Sequence, residues 1–557
     1  MHLSRGPLTQ VAAAAIMLTA ISVSGEQLRA GPSPEESQAT CGRHAVISPW
    51  PAISPWPAIE VPTGRESCEA TGWSAASLRR KFIVSLSASE ALAAMNEDLF
   101  TSEEYVGILV DRIQGNPDIN AFVHLQPDAA RRAARQADRV RDAGEATGPL
   151  HGLPIIVKDS VHVAGVPSTA GTPALGDFQP DDNAPVIQSL LDAGAIVLGK
   201  TNLHELSLGF TTNNAFTGAT LNPYDFGRIP GGSSGGNGAA LAANFAPLAL
   251  GEDTSGSVRV PAALTGTMGF RPTTGRYSRQ GVAPLSTSLD TLGPMARSVE
   301  DLARLDGAIA NGPIHLDPVK LSELKVGVIG GHFTAILDSA VASGFDRVLQ
   351  ELEAAGVELV EVELPSAGQA SIGAALGLIT FEFPLEMGAY LAEHAPSISV
   401  DELVARVASP SVAASLEGLQ GLVDEAGYRA IVEEVVPAIR QSYMARMDGL
   451  GLDAMVYPTT PVQAAPIGAA TAGVRVGESS MSTFDAYARN AHFMPLVGAP
   501  VVTLPIHGNH TRLPLGGVDV AGRPGSDRKI LSIARAIARI MPRRRPPQSI
   551  RPIPFTQ

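Results

Sequence analysis

From Ser87 onward the apolar positions follow two rhythms. Val106 to Ile113 carries them at helical spacing behind Thr101-Ser102-Glu103-Glu104, whose acids suit a first helical turn, and Asn116-Pro117 closes the segment. Ser89-Glu90-Ala91-Leu92 reads as another helix start, and the alanine-rich residues 127–145, with arginines and aspartates on a repeating face, read as a surface helix. Then come apolar runs of strand length. Leu153 to Val157 and Ala195 to Leu198 flank a helical stretch at 183–193; Val326 to Ile329 and Leu359 to Val362 flank one at 338–355. Short apolar strands alternating with helices predict an α/β fold, a largely buried sheet with helices on both faces. Residues 366–450 are mostly helical and read as a cap or insertion. Residues 488–540 return to turn-punctuated strands and end in a helix near 527–541.

The two ends break this pattern. His2 and Arg5 precede an uncharged run from Val11 to Val23 and the small residues Ser24 and Gly25, which describes a secretory signal peptide over 1–25. The expectation is an exported protein, periplasmic or secreted; a start codon placed too far upstream is the alternative, with a cytoplasmic product. The run is too short for a membrane span, and no other stretch qualifies. Residues 26–86 read as an extended arm. It holds Trp50, Trp56 and Trp73, both cysteines (Cys41 and Cys68), and a hexapeptide, Ile47 to Ala52, repeated at once as Ile53 to Ala58. In an exported protein Cys41 and Cys68 are a candidate disulfide; neither looks catalytic. The Pro- and Arg-rich residues 542–557 are expected to be a disordered tail.

At 557 residues, with 45% hydrophobic and 17% charged residues, the chain can build a large core. Its net charge of -14 argues against nucleic acid as a ligand, which needs a basic surface.

Chemistry concentrates in two glycine- and serine-rich stretches, Pro230-Gly231-Gly232-Ser233-Ser234-Gly235-Gly236 and Gly251 to Pro261. Small residues before a serine can aim successive N–H groups at one point. Flexible linkers share this composition, but both stretches are flanked by apolar segments that look buried, Ala239 to Leu250 and Val260 to Phe270. No Lys-[Ser/Thr] pair closes a phosphate loop. Gly231 to Gly235 satisfies G-x-S-x-G, which would make Ser233 the nucleophile of an α/β-hydrolase-like esterase, yet no apolar strand leads into it and His492, His507 and His510 lack a recognisable context.

In order along the chain, Gly152 to Asp159, Gly199 to Glu205, the Gly-Gly-Ser-Ser-Gly-Gly run, Asp253 to Pro261, Phe270 to Arg276 and Asp290 to Pro294 resemble the motifs of the amidase signature enzymes. The resemblance spans 87–541 and implies that family's fold: a mixed central sheet covered by helices on both faces, with 366–450 shaping the substrate entrance. It implies that Ser257 is the nucleophile, Lys158 the base, and Ser233, on a cis peptide bond, the bridge between them. A lysine serves as a base only when its ordinary pKa of about 10.4 is brought down, and the apolar Ile155-Ile156-Val157 run beside Lys158 suits that; a structural pair with Asp159 is the plain alternative. The backbone N–H groups of Thr254, Ser255, Gly256 and Ser257 would hold the oxyanion, with Asp253 and Arg259 in support. No cofactor is implied, and no metal: Leu208 stands where His204-Glu205 would need a second histidine. The sequence departs from the family's usual Gly-Thr/Ser-Asp-Thr-Gly-Gly-Ser at Glu252 and Ser255.

The expected activity is hydrolysis of a carboxylic amide to acid plus ammonia or amine through an acyl-enzyme. Residues around the nucleophile look most like the mandelamide and indoleacetamide hydrolase branch, which implies a small amide with an aryl or apolar acyl part. An amidotransferase A-like subunit and an inactive binding protein are the alternatives. The expected partners are the small amide and a second copy in a homodimer, with no nucleic acid and no membrane span.

Overall fold

Eleven short strands form one mixed sheet. In chain order they are β1 (Phe122–Leu125), β2 (Pro154–Lys158), β3 (Ile196–Thr201), β4 (Leu248–Asp253), β5 (Met268–Arg271), β6 (Thr291–Ala296), β7 (Lys325–Ile329), β8 (Glu358–Val362), β9 (Ala454–Pro458), β10 (Val501–Ile506) and β11 (Gly516–Ala521). Across the sheet the order is β8-β7-β9-β11-β10-β5-β6-β4-β2-β3-β1. The computed structural model describes Ala45–Ile47, Ile59–Val61 and residues 75–551 apart from 469–472, 477–478 and 509–512.

Strands β3, β2 and β4 run parallel, as do β8, β7 and β9, while β6, β5, β10 and β11 join the two groups by antiparallel pairing. The helix Pro185–Asp192 makes the crossover between β2 and β3, and Ser339–Ala354 that between β7 and β8. Both faces of the sheet are packed. In β9, Val456 belongs to one apolar core and its neighbours Met455 and Tyr457 to another, the alternation expected of a strand covered on both sides. The second core is completed by Gln369–His394, Val400–Ala405, Pro410–Leu419 and Val436–Gly449.

Gln369–His394 is the one helix among the described residues long and apolar enough to cross a membrane by length and composition. Here Ala375, Leu378, Phe383, Met387 and Leu391 are buried in that core. Its Glu382 accepts hydrogen bonds from Ser286, Ser288 and Tyr428, which ties the helix to the body.

Two boundaries differ from the sequence reading. The arm expected to run to residue 86 ends in a helix, Ala75–Ser85, bound to the body by Arg79 to Glu104 and by Arg80 to Asp111 at 2.8 Å. Residues 542–551, expected as part of a disordered tail, lie against the body: Tyr224 Oη donates to the Arg545 carbonyl at 2.8 Å and the Arg551 N–H donates to Asn116 Oδ1 at 2.8 Å. Backbone groups satisfied by body side chains explain why composition alone misjudged this segment. The leader, Cys41 with Cys68, and the repeated hexapeptide beyond Ile47 lie outside the described residues.

The helix Gly235–Ala242 is seated so closely that a side chain at its start has no room. A Cβ on Gly236 would sit 2.4 Å from the Asn202 carbonyl oxygen and 2.7 Å from that of Ala121. Gly236→Ala is therefore expected to cost about 1–3 kcal/mol of stability by overpacking, read from the chemical-denaturation midpoint; an unchanged midpoint would contradict this packing.

Candidate active site

Parallel strands present their carboxyl ends on one edge of a sheet, where α/β proteins gather functional groups. Here β2 delivers Lys158 at its last residue and the adjacent β4 delivers Glu252 and Asp253 at its end, with Val157 paired to Leu250 between them. Ile155, Ile156 and Val157 are fully buried, so the lysine emerges from the middle of the core and is itself inaccessible.

Lys158 Nζ donates to Ser233 Oγ at 2.6 Å and to Glu252 Oε2 at 2.7 Å. It is not paired with Asp159. That carboxylate lies 3.4 Å from Lys200 Nζ and accepts from Thr169, so the plain structural alternative does not describe the site. Ser233 follows a cis Gly232–Ser233 peptide bond, and its carbonyl accepts the His204 N–H at 3.0 Å. The Ser234 N–H donates to the Ser257 carbonyl at 3.2 Å, which stitches the two serine-bearing loops together. An esterase built on Ser233 would need a histidine on its hydroxyl. The partner found there is the lysine, and the His204 ring instead faces Thr211.

Asp253 organises the loop that carries Ser257. Burial alone would raise its carboxyl, but Arg259 and Arg271 beside it hold it well below the usual carboxylate range. Arg259 meets it through Nε and Nη2, both at 3.1 Å, and Arg271 Nη1 adds a third contact at 3.1 Å. The same carboxylate accepts the N–H groups of Gly256 at 2.8 Å and Val258 at 3.2 Å. Gly256, expected among the oxyanion donors, thus spends its N–H on Asp253. This narrows the expected set to Thr254, Ser255 and Ser257.

Ser257 opens into a cavity of about 200 Å³ walled by Leu208, Phe210, Leu285 and Phe484 from the body and by Leu376, Ile379 and Leu419 from the 366–450 region. Polar residues interrupt this wall, Ser207, Thr254, Ser415 and Asp485 among them, and two others there are unpartnered. The Ser255 hydroxyl and both ring nitrogens of His492 are buried without a hydrogen-bond partner among the described residues. Burial, then the charge of Arg259, pushes His492 down to about 4, so it is a neutral ring with one donor and one acceptor nitrogen near pH 7.

Sequence reasoning noted Glu252 only as a departure and did not place it on the lysine; its signal was a charged side chain where a small hydroxyl is usual. His492 has no local motif at all. It reaches the cavity from the turn before Phe493–Val497, a placement only the tertiary fold reveals.

The sequence profile of the Amidase family matches residues 104–531. Mandelamide hydrolase of Pseudomonas putida is 37% identical over 476 residues, 82% of this chain and 92% of that protein. Indoleacetamide hydrolase of Agrobacterium vitis is 34% identical over 455 residues, 81% of this chain and 96% of that protein. The crystal structure of peptide amidase from Stenotrophomonas maltophilia superposes with a TM-score of 0.70 at 31% identity, covering 83% of this chain and 98% of the other. With its family profile, its sheet and these relatives in agreement, the chain belongs to the amidase family, enzymes that hydrolyse amide C–N bonds.

Proposed function

We propose that the protein hydrolyses a small carboxylic amide with an aryl or other apolar acyl part, giving the acid and ammonia or an amine by way of an acyl-enzyme on Ser257. The observation that carries this reading is the buried 2.6 Å contact between Lys158 Nζ and Ser233 Oγ, on a loop stitched to the serine that opens into the apolar cavity.

Ser257 Oγ attacks the carbonyl carbon as its proton moves to Ser233 and the Ser233 proton moves to Lys158. The oxygen that becomes negative is received by loop N–H groups, fixed dipoles that cost no reorganisation when charge develops. The proton then returns from Lys158 through Ser233 to the leaving nitrogen, because an amide anion is too poor a leaving group to depart unprotonated, and the C–N bond breaks. Water surrenders a proton along the same path, opens the ester and regenerates Ser257.

The cavity supports the substrate class. A dry apolar cavity of about 150 Å³ accepts benzene, so the space beside Ser257 suits a single aromatic ring. The unpartnered Ser255 hydroxyl and neutral His492 ring favour a polar substituent on the acyl part. Relatives named for hydrolysis of mandelamide and indoleacetamide are consistent with such substrates. The leader over residues 1–25 supports export of the enzyme.

Ser257→Ala and Lys158→Ala are each expected to lower kcat by at least ~10³-fold; near-normal turnover of a small aryl amide by either variant contradicts the relay. His492→Phe is expected to lower kcat/KM for mandelamide about 10-fold more than for phenylacetamide, the worth of one hydrogen bond, and an equal change for both removes His492 from recognition. N-terminal sequencing of the mature protein is expected to begin after the leader; a chain still starting at Met1 contradicts export.

A further inference from the structure

Serine nucleophiles activated by a base usually need a third group that orients the base, as the buried aspartate does for histidine in the Ser-His-Asp arrangement. In the relay proposed above Lys158 is the base, and Ser233 takes only one of its hydrogen bonds. The other goes to Glu252 Oε2 at 2.7 Å, with the two side chains 0% and 2% exposed. Successive strand residues point to opposite faces, so Asp253 turns to Arg259 and Arg271 while Glu252 reaches across to the neighbouring parallel strand.

An ion pair this deep persists only when its remaining lone pairs are satisfied. Glu252 Oε1 lies 2.7 Å from Thr254 Oγ1, and the same hydroxyl lies 2.7 Å from Asp290 Oδ1. A hydroxyl carries one proton, so both contacts are hydrogen bonds only when one carboxyl is protonated. Asp290 is suited to carry that proton: burial, then the charge of Glu252, pushes it up to about 7. Its Oδ2 is fixed by the N–H groups of Leu285 at 2.8 Å and Ser286 at 2.9 Å. Donation then runs from Asp290 to Thr254 to Glu252, leaving Glu252 an acceptor toward the lysine.

We propose that Glu252 is a fourth member of the relay, a positioning residue that aims Lys158 at Ser233 and stabilises the ammonium formed when Ser257 loses its proton, while Thr254 and Asp290 hold Glu252 in place. This rests on the reading of Ser257, Ser233 and Lys158 as the relay. No proton passes to Glu252. When Ser233 hands its proton to Nζ the ammonium faces the Glu252 carboxylate; when the leaving nitrogen takes that proton, the neutral amine still donates an N–H to Oε2.

Other charged groups surround this assembly. His204 on the loop after β3 is pushed down to about 4 by burial and is neutral. Asp159 and Lys200 pair beside β2. Glu252 and Asp290 also line a polar cavity of about 560 Å³, separate from the one at Ser257. Facing it are His162, which burial and then His394 push down to about 3, Asp182, Arg279, and Glu386, Tyr390, Glu393 and His394 of Gln369–His394. All remain in a Glu252→Gln variant, so the difference between its pH profile and that of the unaltered enzyme reads the Glu252 charge.

The test is the pH dependence of kcat and kcat/KM for the full-length enzyme, Glu252→Gln, Glu252→Asp and Asp290→Asn on one aryl amide, with Lys158→Ala and Ser257→Ala alongside. In general an opposite charge within hydrogen-bond reach favours the charged form of a titratable group, by about 1–3 pH units. Glu252→Gln is therefore expected to move the acid limb of kcat/KM to lower pH by about 1 unit or more and to lower the plateau kcat at least ~10-fold. Glu252→Asp should keep the limb near its original place, and Asp290→Asn, which keeps a neutral donor toward Thr254, should leave it unshifted as well. A merely structural role would lower activity equally at every pH. An unshifted limb in Glu252→Gln overturns this inference while inert Lys158→Ala and Ser257→Ala leave the relay standing. Should Glu252→Gln fail to fold, Glu252→Ser replaces it as the uncharged variant, and an unshifted limb there overturns the inference. Full turnover by Lys158→Ala or Ser257→Ala sinks the relay itself.

Discussion

A lysine side chain sealed at the end of a buried strand is the constraint around which this site is built. Isolated charge in a protein interior is expensive, and it is tolerated only with partners in good geometry. Lys158 has two, at 2.6 and 2.7 Å, drawn from a loop and from the next parallel strand. Each partner is fixed in turn: Ser233 by the carbonyl–amide bond to His204, Glu252 by Thr254 and Asp290. A second buried charge cluster, Asp253 between Arg259 and Arg271, sits on the same strand end and shapes the Ser257 loop by taking up its amides.

This arrangement gives the centre two sides of opposite character. The Ser257 side is a small, mostly apolar space closed partly by the 366–450 helices. The Glu252 side borders a larger polar cavity rich in ionisable groups. In the proposed relay a mostly apolar space lies beside a charged counterion, the division of labour that buried acids provide for histidine bases. The cap's role is then positional as well as steric, since Glu382 and Glu205 both bind it to the body: Glu205 accepts the N–H groups of Ala408 at 3.0 Å and Ser409 at 2.7 Å.

Much of this was legible in the sequence, for reasons that differ by element. Buried parallel strands such as Pro154–Lys158 and Lys325–Ile329 announce themselves as unbroken apolar runs, and helices such as Ser339–Ala354 by their period. The family resemblance rests on long ordered motifs and carried Lys158, Ser233 and Ser257 with it. Thr291–Ala296 was read only as a motif, because its glycine and proline hide a strand whose pairing is decided by β4 and β5 on either side. Glu252 and Asp290 are 38 residues apart and meet through one threonine hydroxyl, and His492 lines the same cavity as Ser257 from 235 residues further along the chain. No local pattern encodes such meetings. The ends misled for the opposite reason: residues 542–551 have a loop's composition but are held by hydrogen bonds from distant residues.

In the proposed mechanism Ser257, and not Ser233, carries the acyl group. The most direct measurement is rapid quenching of the enzyme with an activated aryl ester or a slow aryl amide, followed by proteolysis and mass spectrometry. An acyl adduct is expected on the Ser257 peptide, forming and decaying at rates compatible with turnover. An adduct on Ser233, or turnover with no covalent intermediate under conditions where deacylation is slowed, would contradict it.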